Sequence, residues 1–343
     1  MENKLPTIKE IAKQLNISVS TVSRALHDNP SIGLRTKMRV QQLAAELGYE
    51  PNQAAISFKQ RKTFTIGVVL PNLKEEFFSN AISGIEDVAI QNKYNVLIGQ
   101  SHDGVEREKQ IITAMKNQRV DGLIVSISKH TKDYEHFTAL QKYNIPIVFF
   151  DRVPNLPNVN KVSFNMDSGT REAIHFLIDK GHRRIGILNG PEEMKSSRER
   201  TETYKQILIK KRLKIDMTLV VSTDLTREST EKAMQHLLSM KPRPTAVLAI
   251  NDYVALDAIQ YALAQNLELN RDITFVSYAN LPITTYLQHP PMASVEQYPY
   301  EQGSKAAGIL MSLLQQGDKE GSEEPVQNIV IDGRLVVHKK ENV

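Results

Sequence analysis

The feature that most limits what this chain can become is a change of hydrophobic rhythm near residue 62. Beyond it, short β-rich runs alternate with amphipathic stretches: Thr65–Leu70, Asn95–Ile98, Gly122–Val125, Ile145–Phe150, Ile185–Leu188, Val247–Ile250 and Ile273–Val276, with a helix expected from Phe77 through Asn92. Strand and helix in alternation make parallel sheets covered by helices, so an α/β fold is expected. Such sheets bind ligands outside the carboxyl ends of their strands. Polar residues stand at those ends: Asp151 and Arg152 after one run, Asn251 and Asp252 after another. A structural ion pair is the plainer reading of Arg152, and a helix cap is the preferred reading of Asp252. Arg200, on the stretch after Gly190-Pro191, taken alone reads as a solvated helix charge.

Before residue 62 the period is that of short helices. Thr7 caps a first helix, with Glu10 placed to complete a capping box, and Ile8, Ile11, Ala12 and Leu15 share one face. Ser18 caps a second helix that turns Val22, Ala25 and Leu26 inward and Val19, Ser20, Ser23 and Arg24 outward. A third helix is expected from about Ser31 to Leu47, ended by Gly48 in a left-handed turn. Two helices joined by a tight turn and followed by a third fit the geometry that lays the second in a major groove, where Ser20 bonds base edges, Val19 touches a thymine methyl and Arg24 reaches guanine or phosphate. An ordinary three-helix bundle with a polar face fits the same pattern.

Charge is concentrated in the same place. Residues 1–62 carry ten Lys/Arg against five Asp/Glu, whereas the rest, with 33 of the 43 basic and 34 of the 39 acidic residues, is neutral to within one charge. That is the footprint of a polyanion-binding head on a neutral body, or of a solvated basic surface. With no cysteine, disulfides, thiolate metal sites and cysteine nucleophiles are excluded. No apolar run approaches a membrane span and the first residues lack an export-signal pattern, so a soluble cytoplasmic protein is expected. There is no phosphate-binding Gly-rich loop with a lysine, no paired metal-ligand histidines and no nucleophile elbow; His182 reads as a structural loop residue. No enzyme, cofactor or metal is therefore expected.

Longer motifs sharpen these readings. Thr-Ile-Lys-Glu-Ile-Ala at 7–12, Val-Ser-Thr-Val-Ser-Arg-Ala-Leu at 19–26, Leu-Gly-Tyr-Glu-Pro-Asn at 47–52, Phe149-Phe-Asp-Arg152, Lys180-Gly-His-Arg-Arg-Ile185, Arg200 ahead of Tyr204, and Ala249-Ile-Asn-Asp252 together resemble the lactose-repressor (LacI/GalR) family over nearly the whole chain. The resemblance implies an all-α helix-turn-helix head at 1–49, a hinge at 50–62, and a two-lobed body at 63–343 that shares its fold with sugar-binding periplasmic proteins. It implies three crossings between lobes, near 162, 291 and 326, with lobe 1 at about 63–162 and 292–326 and lobe 2 at about 163–291 and 327–343. In the head it assigns base reading to Val19, Ser20 and Arg24 and mainly phosphate contacts to Thr7, Ser18, Thr21 and Ser23. In the hinge, where Pro51 suits the first turn of a helix too short to be stable alone, it places Asn52, Ala55 and Phe58 at the DNA. Phe58 stands where the family commonly wedges a leucine into the minor groove.

In the body the resemblance lines an inter-lobe effector cleft with Phe78, Asp151, Arg152, Arg200, Asn251 and Gln297. Two departures bear on the ligand: Glu75-Glu76 replace a usual Asn-Pro, and Ala279-Asn280 stand where an aspartate usually grips sugar hydroxyls. Glu75 and Asn280 therefore join the expected cleft residues, and the ligand is expected to be a carbohydrate or related metabolite with an altered hydroxyl or charge pattern. After the strands expected at Asn328–Ile331 and Arg334–His338 there are no leucine heptads, so a homodimer on an approximately palindromic DNA operator is expected, with repression the commoner outcome. The alternative is a solute-binding protein of the same body fold without a transcriptional role, which the head and the missing export pattern oppose.

Overall fold

The computed structural model describes residues 6–50, 62–316 and 325–338. It divides into two compact units, residues 1–63 and 64–343. The first holds three helices: α1 (Ile8–Leu15), α2 (Val19–Leu26) and α3 (Leu34–Leu47). The local chemistry is as expected. Glu10 N donates to Thr7 Oγ1 at 3.4 Å and Thr7 N to Glu10 Oε2 at 2.8 Å, closing the capping box. Thr21 N donates to Ser18 Oγ at 3.1 Å, and Gly48 ends α3 at φ 62°. Helix α3 begins at Leu34, later than expected, because Asn29 holds the preceding residues in a turn: Ser31 N donates to its side chain and Ile32 N to its carbonyl. Ile11, Val22, Ala25 and Val40 are fully buried and close the core.

The second unit contains two six-stranded sheets. Lobe 1 holds β1 (Thr65–Leu70), β2 (Asn95–Gln100), β3 (Gly122–Val125), β4 (Ile147–Phe150), β5 (Asn160–Asn165) and β11 (Asn328–Asp332), in the order β11-β5-β4-β3-β1-β2. Lobe 2 holds β6 (Ile185–Asn189), β7 (Val220–Ser222), β8 (Ala246–Ala249), β9 (Thr274–Tyr278), β10 (Ala293–Glu296) and β12 (Arg334–Val337), in the order β12-β10-β9-β8-β6-β7. All pairings are parallel except β10 with β12. The helices that matter below are α4 (Glu76–Gln91), α5 (Val105–Asn117), α6 (Met166–Asp179), α7 (Lys195–Lys210), α8 (Arg227–Ser239), α9 (Asp252–Ala264) and α10 (Pro299–Gln316). No helix among the described residues is long and apolar enough to cross a membrane.

The chain crosses between lobes three times, but at places other than 162, 291 and 326. β5 pairs with β11 through Asn165, so the first crossing follows Asn165. β10 pairs with β9 in lobe 2, which moves the second crossing past Glu296. Asn328–Asp332 pairs with β5 and so belongs to lobe 1, and the third crossing is at Gly333. There a Cβ would press on the Phe164 ring and come within 3.0 Å of Val295, so a larger residue would have to push that ring aside. β5, β7 and β10 escape a reading by apolar runs because Asn-Lys-Val-Ser-Phe-Asn, Val-Val-Ser and Ala-Ser-Val-Glu contain none.

Helices α4 and α10 meet backbone to backbone behind the lobe 1 sheet. A Cβ on Gly303 would fall on the Ala81 carbonyl, and one on Gly84 on the Tyr300 carbonyl, with no flexible side chain to yield. Gly303→Ala is expected to destabilise the body by about 1–3 kcal/mol through overpacking. Gly308→Ala, on the same helix with nothing within 4 Å of the added methyl, is expected to be neutral or stabilising by up to ~1 kcal/mol. Denaturant melts of the two variants check the pair; equal stabilities would contradict the close approach.

Candidate functional site

The exposed face of α2 is built by what its other face must bury. Val22 and Ala25 point into the core, which leaves Val19 (42% exposed), Ser20 and Arg24 outward. At its start Ser18 Oγ lies 2.7 Å from Ser20 Oγ and 2.8 Å from Thr21 Oγ1, so three hydroxyls form one cluster at the helix N-terminus. Such a terminus, with free N–H groups and hydroxyls, suits phosphate, while the neighbouring Val19–Ser20–Arg24 surface offers a methyl, a hydroxyl and a guanidinium to base edges. Thr7 is exposed at the start of α1, and Ser23 lies partly buried on α2. Asn52, Ala55 and Phe58 lie outside the described residues.

In the body, the carboxyl ends of both sheets face a cleft of about 770 Å³. On the lobe 1 wall, β1 leads to Glu75 and Phe78, β3 to Ser128 and Lys129, and β4 to Asp151 and Arg152. Asp151 takes φ 55°, a left-handed bend that re-aims the chain as it leaves β4. Ser126 Oγ donates to Asp151 Oδ2 at 3.2 Å. Arg152 forms the structural ion pair anticipated for it: Nη1 donates to Asp103 Oδ1 at 2.7 Å, and its guanidinium lies 5.9 Å from the Phe78 ring centre. The loop behind this wall is fixed by Glu108 of α5, which is fully buried and accepts from Ser128 N at 2.6 Å and Thr131 Oγ1 at 2.8 Å.

The two lobe 1 carboxyls are held above their ordinary range. Burial pushes Glu75 up against the lowering effect of Arg152, and burial lifts Asp151 to about 6 despite Arg152 and Ser126, with Glu75 adding repulsion. Among the described residues the Glu75 carboxylate makes no hydrogen bond or ion pair, so its oxygens are left for a ligand.

The lobe 2 wall carries charges of both signs, Asp167, Glu199 and Glu202 among its acids and Lys195, Arg198 and Arg200 among its cations. Arg200 on α7 is 1% exposed, not solvated; Nη1 donates to Asn189 Oδ1 at 2.5 Å and its guanidinium stacks 4.6 Å from the Tyr278 ring centre. Asn251 lines the cleft and is the cap of α9, accepting from Val254 N at 2.8 Å. Asp252 is therefore not the cap. It is fully buried and ties lobe 2 together, accepting from Ser277 Oγ, from Ser294 Oγ at 2.7 Å and from Leu281 N at 2.6 Å. Gln297 lines the cleft at the end of β10.

Asn280 does not line the cleft. Positive φ at Ala279 (92°) and Asn280 (52°) turns the chain so that Ala279 and Leu281 face the cleft, while Asn280 Nδ2 donates to Glu296 Oε2 at 2.8 Å in a second concavity beside Tyr298. The cleft also gains Met166, Tyr253 and Lys129, which the sequence reading missed. Met166 directly follows β5, so recognising that strand was the missing signal.

The raised Asp151 carboxyl has a consequence for stability. The folded chain holds this proton more tightly than the unfolded chain, so its contribution is complete below pH 3.8 and is lost as pH rises to about 6. Asp151→Asn is expected to raise stability at pH 7 by about 1–3 kcal/mol and to flatten the profile between those pH values. Thermal melts of the unliganded variant across this range test it; an unchanged slope would show that Asp151 keeps an ordinary acidity.

Two family profiles match the chain. "Bacterial regulatory proteins, lacI family" covers residues 7–52, and "Periplasmic binding proteins and sugar binding domain of LacI family" covers residues 63–338. The HTH-type transcriptional repressor CytR of Escherichia coli strain K12 is 31% identical over 318 residues, which span 92% of each chain. Catabolite control protein A of Priestia megaterium is 29% identical over 309 residues, 90% of this chain and 92% of that one. Among solved structures, the lac repressor dimer bound to operator and the anti-inducer ONPF is similar with a TM-score of 0.82 at 25% identity, covering 97% of this chain and 98% of the other. The transcriptional regulator CelR–cellobiose complex gives 0.72 at 26% identity with the same coverage. With both parts of its length matched in this way, the chain belongs to the LacI family of DNA-binding transcriptional regulators.

Proposed function

We propose that this regulator is a homodimeric repressor whose two heads read the halves of an approximately palindromic operator, and whose cleft takes a small carbohydrate-like effector that changes operator affinity. The observation that carries the reading is the joint presence of an outward hydroxyl and guanidinium face on α2 and a cleft at two sets of strand ends that mixes apolar and charged side chains. The structural neighbours named above, one a dimer on its operator and one a complex with cellobiose, support both halves.

In this reading residues 1–49 bind DNA, 50–62 form the hinge, and the rest binds effector and dimerises. Val19, Ser20 and Arg24 read bases; Thr7, Ser18, Thr21 and Ser23 hold phosphates; Asn52, Ala55 and Phe58 act at the minor groove. Glu75, Asp151, Asn251 and Gln297 bracket the hydroxyls of the effector, Phe78 stacks on its apolar face, and Arg152 and Arg200 supply charge. The protein works in the cytoplasm, where its operator is, and no enzymatic step is assigned to it. Ligand in the cleft biases how the lobes close about the three crossings, and two-fold symmetry couples the hinges.

Selection of bound duplexes from a random library tests the DNA half: an enriched near-palindrome supports it, and no enrichment contradicts it. Arg24→Ala is expected to weaken binding to the selected duplex by about 1–3 kcal/mol and to relax preference at one position of each half-site. Uniform loss across all sequences would instead make Arg24 a phosphate contact.

A further inference from the structure

Arg200 is the one cleft cation buried to 1% exposure, and among the described residues it meets no carboxylate. Its Nη1 donates to the neutral amide of Asn189, its Nη2 lies 3.4 Å from the Met166 sulfur, and its Nε is buried with no partner. Nε and Nη2 form the side-on fork with which arginine grips a carboxylate. Arg171 of the same lobe uses those two nitrogens on Asp167, at 2.6 and 2.9 Å. On Arg200 the Nη2 of that edge meets a thioether, a weak acceptor, with Tyr278 alongside. Met166 also lines the cleft, and its unbranched side chain turns aside at little cost.

Charge balance decides what belongs there. A buried cation left without a counter-charge is costly, and a guanidinium does not shed its proton. Ala279, beside Tyr278 on the same wall, offers only a methyl. The acids opposite are in a different position, because cations already stand near them: Arg152 and Lys129 by Glu75, and Arg152 by Asp151. The unmet demand is thus local to the free edge of Arg200: the cleft acids of the same lobe, Asp167, Glu193, Glu199 and Glu202, accept no hydrogen bond from it.

We propose that the effector is an acidic carbohydrate, an aldonate or uronate, whose carboxylate displaces Met166 from the Nε–Nη2 edge of Arg200 while its hydroxyls donate to Glu75 and Asp151. This rests on the effector-gated reading given above and narrows it to a ligand class. The single fork takes one planar carboxylate, and the wall opposite takes hydroxyl donors.

Matched pairs test the proposal by thermal melts and titration calorimetry on the full-length protein: D-glucuronate with D-glucose, D-galacturonate with D-galactose, D-gluconate with D-glucitol, and D-glucosamine as the amine. At least one acid is expected to raise the melting temperature and to bind at least about tenfold more tightly than its neutral counterpart. Arg200→Gln is expected to abolish that preference. Should this variant fail to fold, Arg200→Lys, which keeps the charge but loses the fork, is expected to bind the same acid more weakly yet still prefer it. A neutral sugar bound as well as its acid, a response to glucosamine alone, or indifference to every acid of the panel overturns the proposal. The duplex selection reads the regulator assignment separately: an enriched operator with indifferent acids sinks the acidic effector alone, whereas no operator sinks the regulator whatever the sugars do.

Discussion

The body depends on a constraint of parallel sheets: every parallel strand of a lobe delivers its following residue to the same edge. With the carboxyl ends of two such sheets facing each other, residues as distant in sequence as Phe78, Arg152, Arg200, Asn251 and Gln297 arrive at one cleft without any of them being near another along the chain. The three crossings, at Asn165, beyond Glu296 and at Gly333, are the covalent ties between the lobes. They run side by side because β5 pairs with β11 and β10 with β12; the third tie joins strand to strand, while the first runs from β5 into α6 and the second from β10 into α10. Two rigid lobes joined by a few short segments form the kind of bistable element that a ligand between them biases.

Rigidity on either side of the cleft comes from buried carboxylates that have no part in binding. Glu108 in lobe 1 holds the backbone behind Ser128, and Asp252 in lobe 2 gathers Ser277, Ser294 and the Leu281 turn. Their hydrogen bonds are satisfied within the protein, so they fix the walls. Facing the cleft, by contrast, are the Glu75 oxygens, the Asp151 carboxyl that burial holds above its ordinary range, and the unpartnered Nε of Arg200.

Sequence reading succeeded where the physics is local. The Thr7–Glu10 box, the Ser18 cap and the left-handed Gly48 each involve residues within four positions of one another, and all stand as expected. The strand-end residues Asp151, Arg152 and Asn251 were legible because an apolar run announces its own end. Orientation was not legible. Asn280 leaves the cleft because two successive residues adopt positive φ, and nothing in Ala-Asn-Leu announces that bend. Asp252 looked like a cap because its partners lie 25 to 42 residues away. Arg200 looked solvated because its burial is imposed by Tyr278 and Met166, themselves on elements far along the chain. The lobe boundaries were misplaced for a related reason: half-polar strands such as Asn160–Asn165 are held by their neighbours' hydrogen bonds and not by their own hydrophobicity.

The central claim is that the cleft governs the head. The most direct measurement is the affinity for a selected operator duplex, by fluorescence anisotropy, with and without a total metabolite extract, for the wild type and for a Glu75→Gln, Asp151→Asn double variant. The account predicts that extract changes wild-type affinity by roughly fivefold or more, while the double variant binds the duplex equally well without extract and does not respond to it. An extract that shifts both proteins alike, or that leaves the wild type unmoved, would contradict it.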